Sequence, residues 1–322
     1  MPGTASILRF YRLHRQEQLT MKRKWKKFIP LYIMAIPGLA YLFINNYLPM
    51  FGLVIAFKDL DFRKGIWKSP WAGFDNFKFL FRSKDALVIT RNTLLYNLAF
   101  IFIGLLISIT VAILLSEIRN GAASRIYQSS ILIPYLMSWV VAGYLVYAFL
   151  SSDTGYINKS ILEPLGKEGV SWYTEKKYWP FILVFVNQWK NIGFTTVIYL
   201  ASIIGISKDY YEAARIDGAN KWSQIRYITL PLIKPTVITL TLLNIGRIFY
   251  SDFGLFYQVP RNSGMLYDVT RTIDVYVYNA LMKNSDFALA SAASFYQSIV
   301  GFLLIIITNM IIRKVSRENA LF

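Results

Sequence analysis

The sequence predicts an all-α integral membrane protein with about six transmembrane helices, and three observations carry that expectation. Hydrophobic residues make up 55% of the 322 residues and charged residues 16%, with a mean hydropathy of +0.40. A soluble domain of this size carries about 25% charged residues. Apolar runs at about residues 28–57, 92–115, 126–150, 180–203, 236–257 and 289–312 each reach the length of about 20 residues that a helix needs to cross a hydrocarbon core. The segments between them are polar and hold most of the lysines and arginines.

Residues 1–27 form a basic tail with Arg9, Arg12, Arg15, Lys22, Arg23, Lys24, Lys26 and Lys27 against a single acid, Glu17. The positive-inside rule places such a cluster in the cytoplasm. The run from Phe28 to Phe57 is too long for a signal-peptide core and lacks a small-residue cleavage site, so it reads as a retained first span. Its prolines, Pro30, Pro37 and Pro49, predict kinks. Lys58 to Arg91 is a polar outer loop whose aromatic stretch from Trp71 to Phe81 suits a short helix at the lipid headgroups. A tight inner turn containing Arg119, Gly121 and Arg125 joins the second and third spans. The second outer loop runs from Ser151 to Trp179 and the third ends at about Ala288; Arg313, Lys314 and Arg317 close the last span inside. Residues 28–313 thus form one transmembrane domain, residues 314–322 a short cytoplasmic tail, and both termini are cytoplasmic. The first outer loop also holds many cations, so a bare count separates the two sides only weakly, and the N-terminal cluster decides together with the segment from Ser207 to Pro235.

Composition removes several functions. The chain has no cysteine, and its single histidine, His14, lies in the basic tail without partner ligands, which argues against metal and thiolate chemistry. The formal charge of +17 is spread over many short loops rather than one face, so it sets membrane orientation and does not indicate nucleic acid. No phosphate-binding loop is present: Gly166-Lys167 is followed by Glu168. No membrane or outer-face serine has a base, because the single histidine, His14, lies in the basic tail. A secondary sugar transporter and a membrane-embedded glycan enzyme are the alternative classes. The first would normally carry inverted repeats and intramembrane acids, of which Asp252 is nearly the sole instance, and the second needs a reactive constellation.

Ser207 to Pro235 is the longest amphipathic stretch of the second half. Asp209 is expected to cap a helix in capping-box spacing with Glu212, and Gly218 to end it in a left-handed conformation. A second helix is expected from Ala219 to Ile228, with Pro231 and Pro235 preventing its continuation. Glu212-Ala213-Ala214, then Gly218, then Ile228-Thr229-Leu230-Pro231 resembles the EAA loop of membrane subunits of bacterial binding-protein-dependent ABC importers.

That resemblance implies a type I ABC importer fold in the bacterial cytoplasmic (inner) membrane, with a cytoplasmic coupling helix that rests in a cleft of an ATPase. Its residues here would be Glu212, Ala213, Ala214, Asp217, Gly218, Leu230 and Pro231. It also implies a second homologous permease, two ATPase subunits that hold ATP and Mg, an extracellular or periplasmic solute-binding protein, and no cofactor on this chain. The likeness is greatest to permeases for complex saccharides, including alginate- and pectin-fragment importers. Asn187, Lys190, Asn191 and Phe194 in the fourth span and Asn244, Arg247, Tyr250 and Ser251 in the fifth recur at helical spacing as candidate path residues, and several of these positions correspond to the sugar path of maltose-type permeases. Lys190 and Arg247 replace neutral side chains there and favour an anionic oligosaccharide such as a uronate oligomer. The alternatives are that Arg247 pairs with Asp252 or a partner-subunit acid, and that Lys190 snorkels to the outer surface.

Overall fold

The computed structural model describes residues 28–118 and 120–315. The basic cluster of residues 1–27, Arg119 and Arg317 lie outside them. The described residues fall into two units, one ending at Val54 and the other beginning at Ile55.

Residues 28–54 of helix α1 (Phe28–Phe57) make up the described part of the first unit, and the side chains from Phe28 to Phe51 are exposed. Its winding changes where proline removes a backbone donor: a wide turn over Phe43–Tyr47 leads into tight turns over Leu48–Phe57, around Pro49.

The second unit is built on α2 (Lys84–Ser116) packed along α5 (Trp179–Ile204), with α3 (Gly121–Leu136) crossing α5 on another side. The α3 contact is a backbone approach: a Cβ at Gly193 would clash with the carbonyl of Ile131. The run expected as one third span is two helices, α3 and α4 (Trp139–Leu150), bent by 96°. Met137 is extended there, and the Ser138 hydroxyl accepts the Val141 N–H, so a new helix is capped in the middle of the apolar run.

The segment after α5 turns by 65° into α6 (Lys208–Ile216). A continuous helix α7 (Lys221–Ile245) follows. Neither proline ends it, contrary to the sequence expectation. A wide turn over Ile225–Thr229, in which Leu230 N–H bonds to the Ile225 carbonyl, precedes Pro231, which falls in the first turn of the next α-helical segment. The end of the expected docking loop, Lys221 to Pro235, is therefore helical and continuous with the fifth span. That span in turn stops at Ile245, and the interval to the short helix α8 (Phe253–Gln258) is irregular. Helices α9 (Ile273–Met282) and α10 (Phe287–Val315) complete the unit and pack on each other.

Two apolar clusters hold α2, α5 and their neighbours. The first joins Tyr96 with Trp179, Leu183 and Val186, with Val146 and Leu150 of α4, and with Leu255 and Phe256 of α8. The second joins Ala112 and Leu115 with Tyr199, Leu200 and Ile203, and with Ile233 of α7. The loops add polar ties. Asn92 donates to the carbonyls of Asp268 and Arg271, and Arg271 pairs with Asp85. Lys176 pairs with Asp268 and holds that carboxyl below the usual carboxylate range. The Lys58 ammonium, 3% exposed, uses its three donors on the carbonyls of Ile66, Trp67 and Ser69 at 2.9, 2.8 and 3.2 Å.

Candidate functional site

Along α2 the stretch between the two clusters does not close against its neighbours. A cavity of about 240 Å³ lies there, lined by α2 (Asn97, Gly104, Ser108), α5 (Asn187, Gln188, Asn191, Thr195, Tyr199) and the end of α7 with the chain beyond it (Thr241, Asn244, Arg247, Tyr250). Gly104 brings α2 close to Gln188: a Cβ there would stand 3.0 Å from Gln188 Oε1, and Gln188 donates to the Phe100 carbonyl at 3.1 Å. The Ser108 hydroxyl is buried and has no hydrogen-bond partner among the described residues.

The irregular interval after Ile245 is held rather than loose. Asn97 donates to the carbonyls of Ile248 and Tyr250 at 2.9 and 3.0 Å. Gln297 of α10 donates to the Phe249 carbonyl, and Asp274 of α9 accepts from both the N–H and the hydroxyl of Ser251. Asp252 caps α8 through the Gly254 and Leu255 N–H groups, and its other oxygen accepts from Trp139 Nε1 at 2.7 Å. Irregular backbone at membrane depth persists when protein groups satisfy it in this way.

Five of the eight path residues named from sequence come together at this cavity: Asn187, Asn191, Asn244, Arg247 and Tyr250. Arg247 is the sole charged residue in the lining, and its guanidinium has no hydrogen-bond or ion-pair partner among the described residues. Asp252 is engaged by Trp139 and the α8 cap, and the alternative tie between Arg247 and Asp252 is not found among the described residues. Three path residues lie elsewhere. Lys190 is buried, donates to the Tyr135 carbonyl at 3.0 Å and lies over the rings of Tyr135 and Trp139, so it does not snorkel. Phe194 stacks on Tyr135, and Ser251 is bonded to Asp274 and Thr272. These three share the helical spacing of the lining residues but fall on the side of α5, or of the interval, that packs against other elements. Asn97, Ser108 and Gln188 also line the cavity and are not among the residues expected from sequence. The signal for the α2 pair is the set of polar or small residues 97, 104 and 108 recurring at helical spacing inside an otherwise apolar α2.

The second candidate region is α6 with the turn that follows. Its cap is Ser207, whose hydroxyl accepts the Asp209 N–H, and not Asp209; Glu212 makes no side-chain hydrogen bond among the described residues. Ala219 N–H bonds to the Ala214 carbonyl and Gly218 N–H to the Arg215 carbonyl, a Schellman closure with Gly218 at φ +79°. Asn220 then caps α7 by accepting the Ser223 N–H, and Tyr211 meets Thr229 across the turn. Glu212, Ala213 and Asp217 face solvent, Ala214 is half-buried, and Tyr210, Ile216 and Trp222 expose large apolar surface around them. Leu230 and Pro231 lie within α7.

A membrane-spanning helical unit with a polar cavity between its helices and an exposed amphipathic segment is the build of a transport subunit. Residues 104–317 match the family of binding-protein-dependent transport system inner membrane components, and the chain belongs to that family. Protein LplB of Bacillus subtilis is 35% identical over 292 residues, covering 90% of each chain. The polygalacturonan/rhamnogalacturonan transport system permease protein YteP of the same organism is 32% identical over 312 residues, 96% of this chain and 95% of that one. Among solved structures, a bacterial ABC transporter involved in the import of the acidic polysaccharide alginate aligns with a TM-score of 0.84 and 29% identity over 92% of this chain and 99% of that chain. The fold is thus that of an ABC importer permease, and the chain is a transport subunit rather than an enzyme.

Proposed function

We propose that this chain is one of two permease subunits of an ATP-driven importer for an acidic, uronate-containing oligosaccharide, and that the cavity at Arg247 is its half of the path. The observation that carries the reading is the unpaired guanidinium of Arg247, the sole charged group in a lining whose other polar groups are amides and hydroxyls. A carboxylate would meet its planar donors in two-point fashion, while Asn187, Asn191, Asn244 and the free Ser108 hydroxyl would serve sugar hydroxyls. YteP carries a uronate polymer in its description, and the alginate importer has been seen with an alginate pentasaccharide-bound periplasmic protein, which supports the same substrate class and a binding-protein partner here. On this reading α6 is cytoplasmic and docks on an ATPase subunit that holds ATP and Mg, both termini are cytoplasmic, and a second, homologous permease completes the path.

The test is uptake by the complete importer in proteoliposomes. Arg247→Gln keeps a polar donor and removes the charge. Uptake of a uronate oligomer is expected to fall by about ten-fold or more, as for loss of a charged hydrogen bond, with a smaller loss for any neutral sugar accepted. An equal fall for both sugars, or loss of assembly, would make Arg247 a structural residue and remove the main support for an acidic substrate.

A further inference from the structure

A second cavity, of about 360 Å³, lies along the pair α4 and α8, lined by Tyr144 and Tyr147 of α4, Tyr257 and Gln258 of α8, and Arg261 and Asn262 just beyond it. The helices approach closely because α4 carries Gly143 against the Gln258 backbone and α8 carries Gly254 against Trp139. Trp139 marks the end of this pair tied to Asp252, and Tyr147 stands further along α4, residues 139 to 147 spanning about 12 Å at 1.5 Å per residue. The new cavity and the Arg247 cavity share no lining residue.

Three features of its rim point to a ligand. Arg261 and Asn262 are consecutive non-glycine residues in the left-handed region, at φ +55° and +48°. Such backbone persists only where the surroundings hold it, and here they do: Asn262 bonds Asn279 through its amide group and accepts from Tyr267, while its N–H reaches the Tyr257 carbonyl. That strained turn presents Arg261, whose guanidinium lies 4.1 Å from the Tyr147 ring centroid. Its N–H groups have no carboxylate or carbonyl partner among the described residues, so the ring contact leaves its donors free. Around it, exposed Tyr144 offers a ring face to the C–H face of a pyranose, and Gln258 and the Tyr257 phenol offer partners for ring hydroxyls.

We infer that this cavity is a second binding site for a uronate saccharide on the same permease, in which Arg261 takes the carboxylate and the tyrosines take the sugar ring. The inference deepens the function proposed above and rests on its substrate class, but not on Arg247. The measurement is equilibrium binding of a fluorescent trigalacturonate to the assembled permease–ATPase complex in nanodiscs, without binding protein, with labelled maltotriose as the neutral control. Wild-type protein is expected to bind the uronate probe at two sites. Arg261→Gln, which meets the same backbone demand at φ +55°, should weaken one component by about ten- to hundred-fold and leave the other intact, Arg261→Lys should restore part of it, and Tyr147→Leu should weaken the same component while Tyr147→Phe does not. In an Arg247→Gln importer the Arg261-dependent component should remain. If Arg247→Gln changes nothing while Arg261→Gln removes a component, the Arg247 reading fails and this one stands. If Arg261→Gln leaves every component unchanged, if wild type does not bind the probe, or if a photoreactive group at position 144 cross-links to polypeptide instead of sugar, the second site is overturned.

Discussion

The segment from Ser207 to Gly218 and the cavity at Arg247 are built by opposite means. The first closes on itself: a serine cap, a left-handed glycine and an asparagine cap all act within a few residues of sequence, and the side chains left over point outward. The second is a gap left between helices, kept open by contacts such as Asn97 to the carbonyls of Ile248 and Tyr250 that join residues far apart in the chain. A surface that only has to present side chains outward can be specified locally. A hole needs walls held from several directions.

This contrast can be broken from either side. The largest effect is expected at Gly193, where any Cβ meets the Ile131 carbonyl and neither backbone can yield without parting α3 from α5. Gly193→Val should cost more than about 3 kcal/mol, the upper range for overpacking, and should appear as loss of assembled importer and a lowered thermal midpoint in detergent. Normal assembly of that variant would mean the α3–α5 contact does not hold the cavity wall. Gly218→Val should cost less, about 1–2 kcal/mol for a β-branched residue forced to positive φ, and the damage should stay local. The expected signature is a complex that assembles but whose ATP hydrolysis no longer responds to loaded binding protein; unchanged stimulation would remove the docking role. The smallest effect sharpens the comparison within one helix. Ser207→Ala should destabilise α6 by about 1 kcal/mol through loss of its cap, whereas Glu212→Ala, which breaks no hydrogen bond, should leave helix stability within about 0.5 kcal/mol and act on coupling alone. Hydrogen exchange over residues 208–216 separates the two.

The same contrast explains how much was legible in the sequence. The all-helical membrane class and the turn at Gly218 follow from composition and from one residue type whose conformational freedom is read directly. Within α6 Ser207 and Asp209 are both good N-caps by sequence, and which one serves, Ser207, depends on where the chain leaves α5. Pro231 and Pro235 read as stops, yet Pro231 falls in the first turn after the wide turn, where its missing N–H costs little, and Pro235 is carried inside the helix. The break after Ile245 was invisible for a different reason. Its side of the chain shows only Gly246 and a run of residues that would sit equally well in a helix, while the groups that hold it open, Asn97, Asp274 and Gln297, belong to other elements. Lys190, Phe194 and Ser251 have the periodicity of the path residues, and only packing separates a lining side chain from one turned toward Tyr135 or Asp274.

The wide turn in α7 has a consequence for how motion could travel. From Lys221, paired with Glu117, to Ile245, two residues short of Arg247, the chain is one rod of 25 residues, about 37 Å long at 1.5 Å per residue. A turn that holds one residue more than its neighbours sets the rod's two ends out of phase, by about 100° relative to an uninterrupted helix. Drawing that residue into a regular turn would rotate one end against the other like a key in a lock, so that a push on the Lys221 end would arrive at the cavity as torsion as well as displacement.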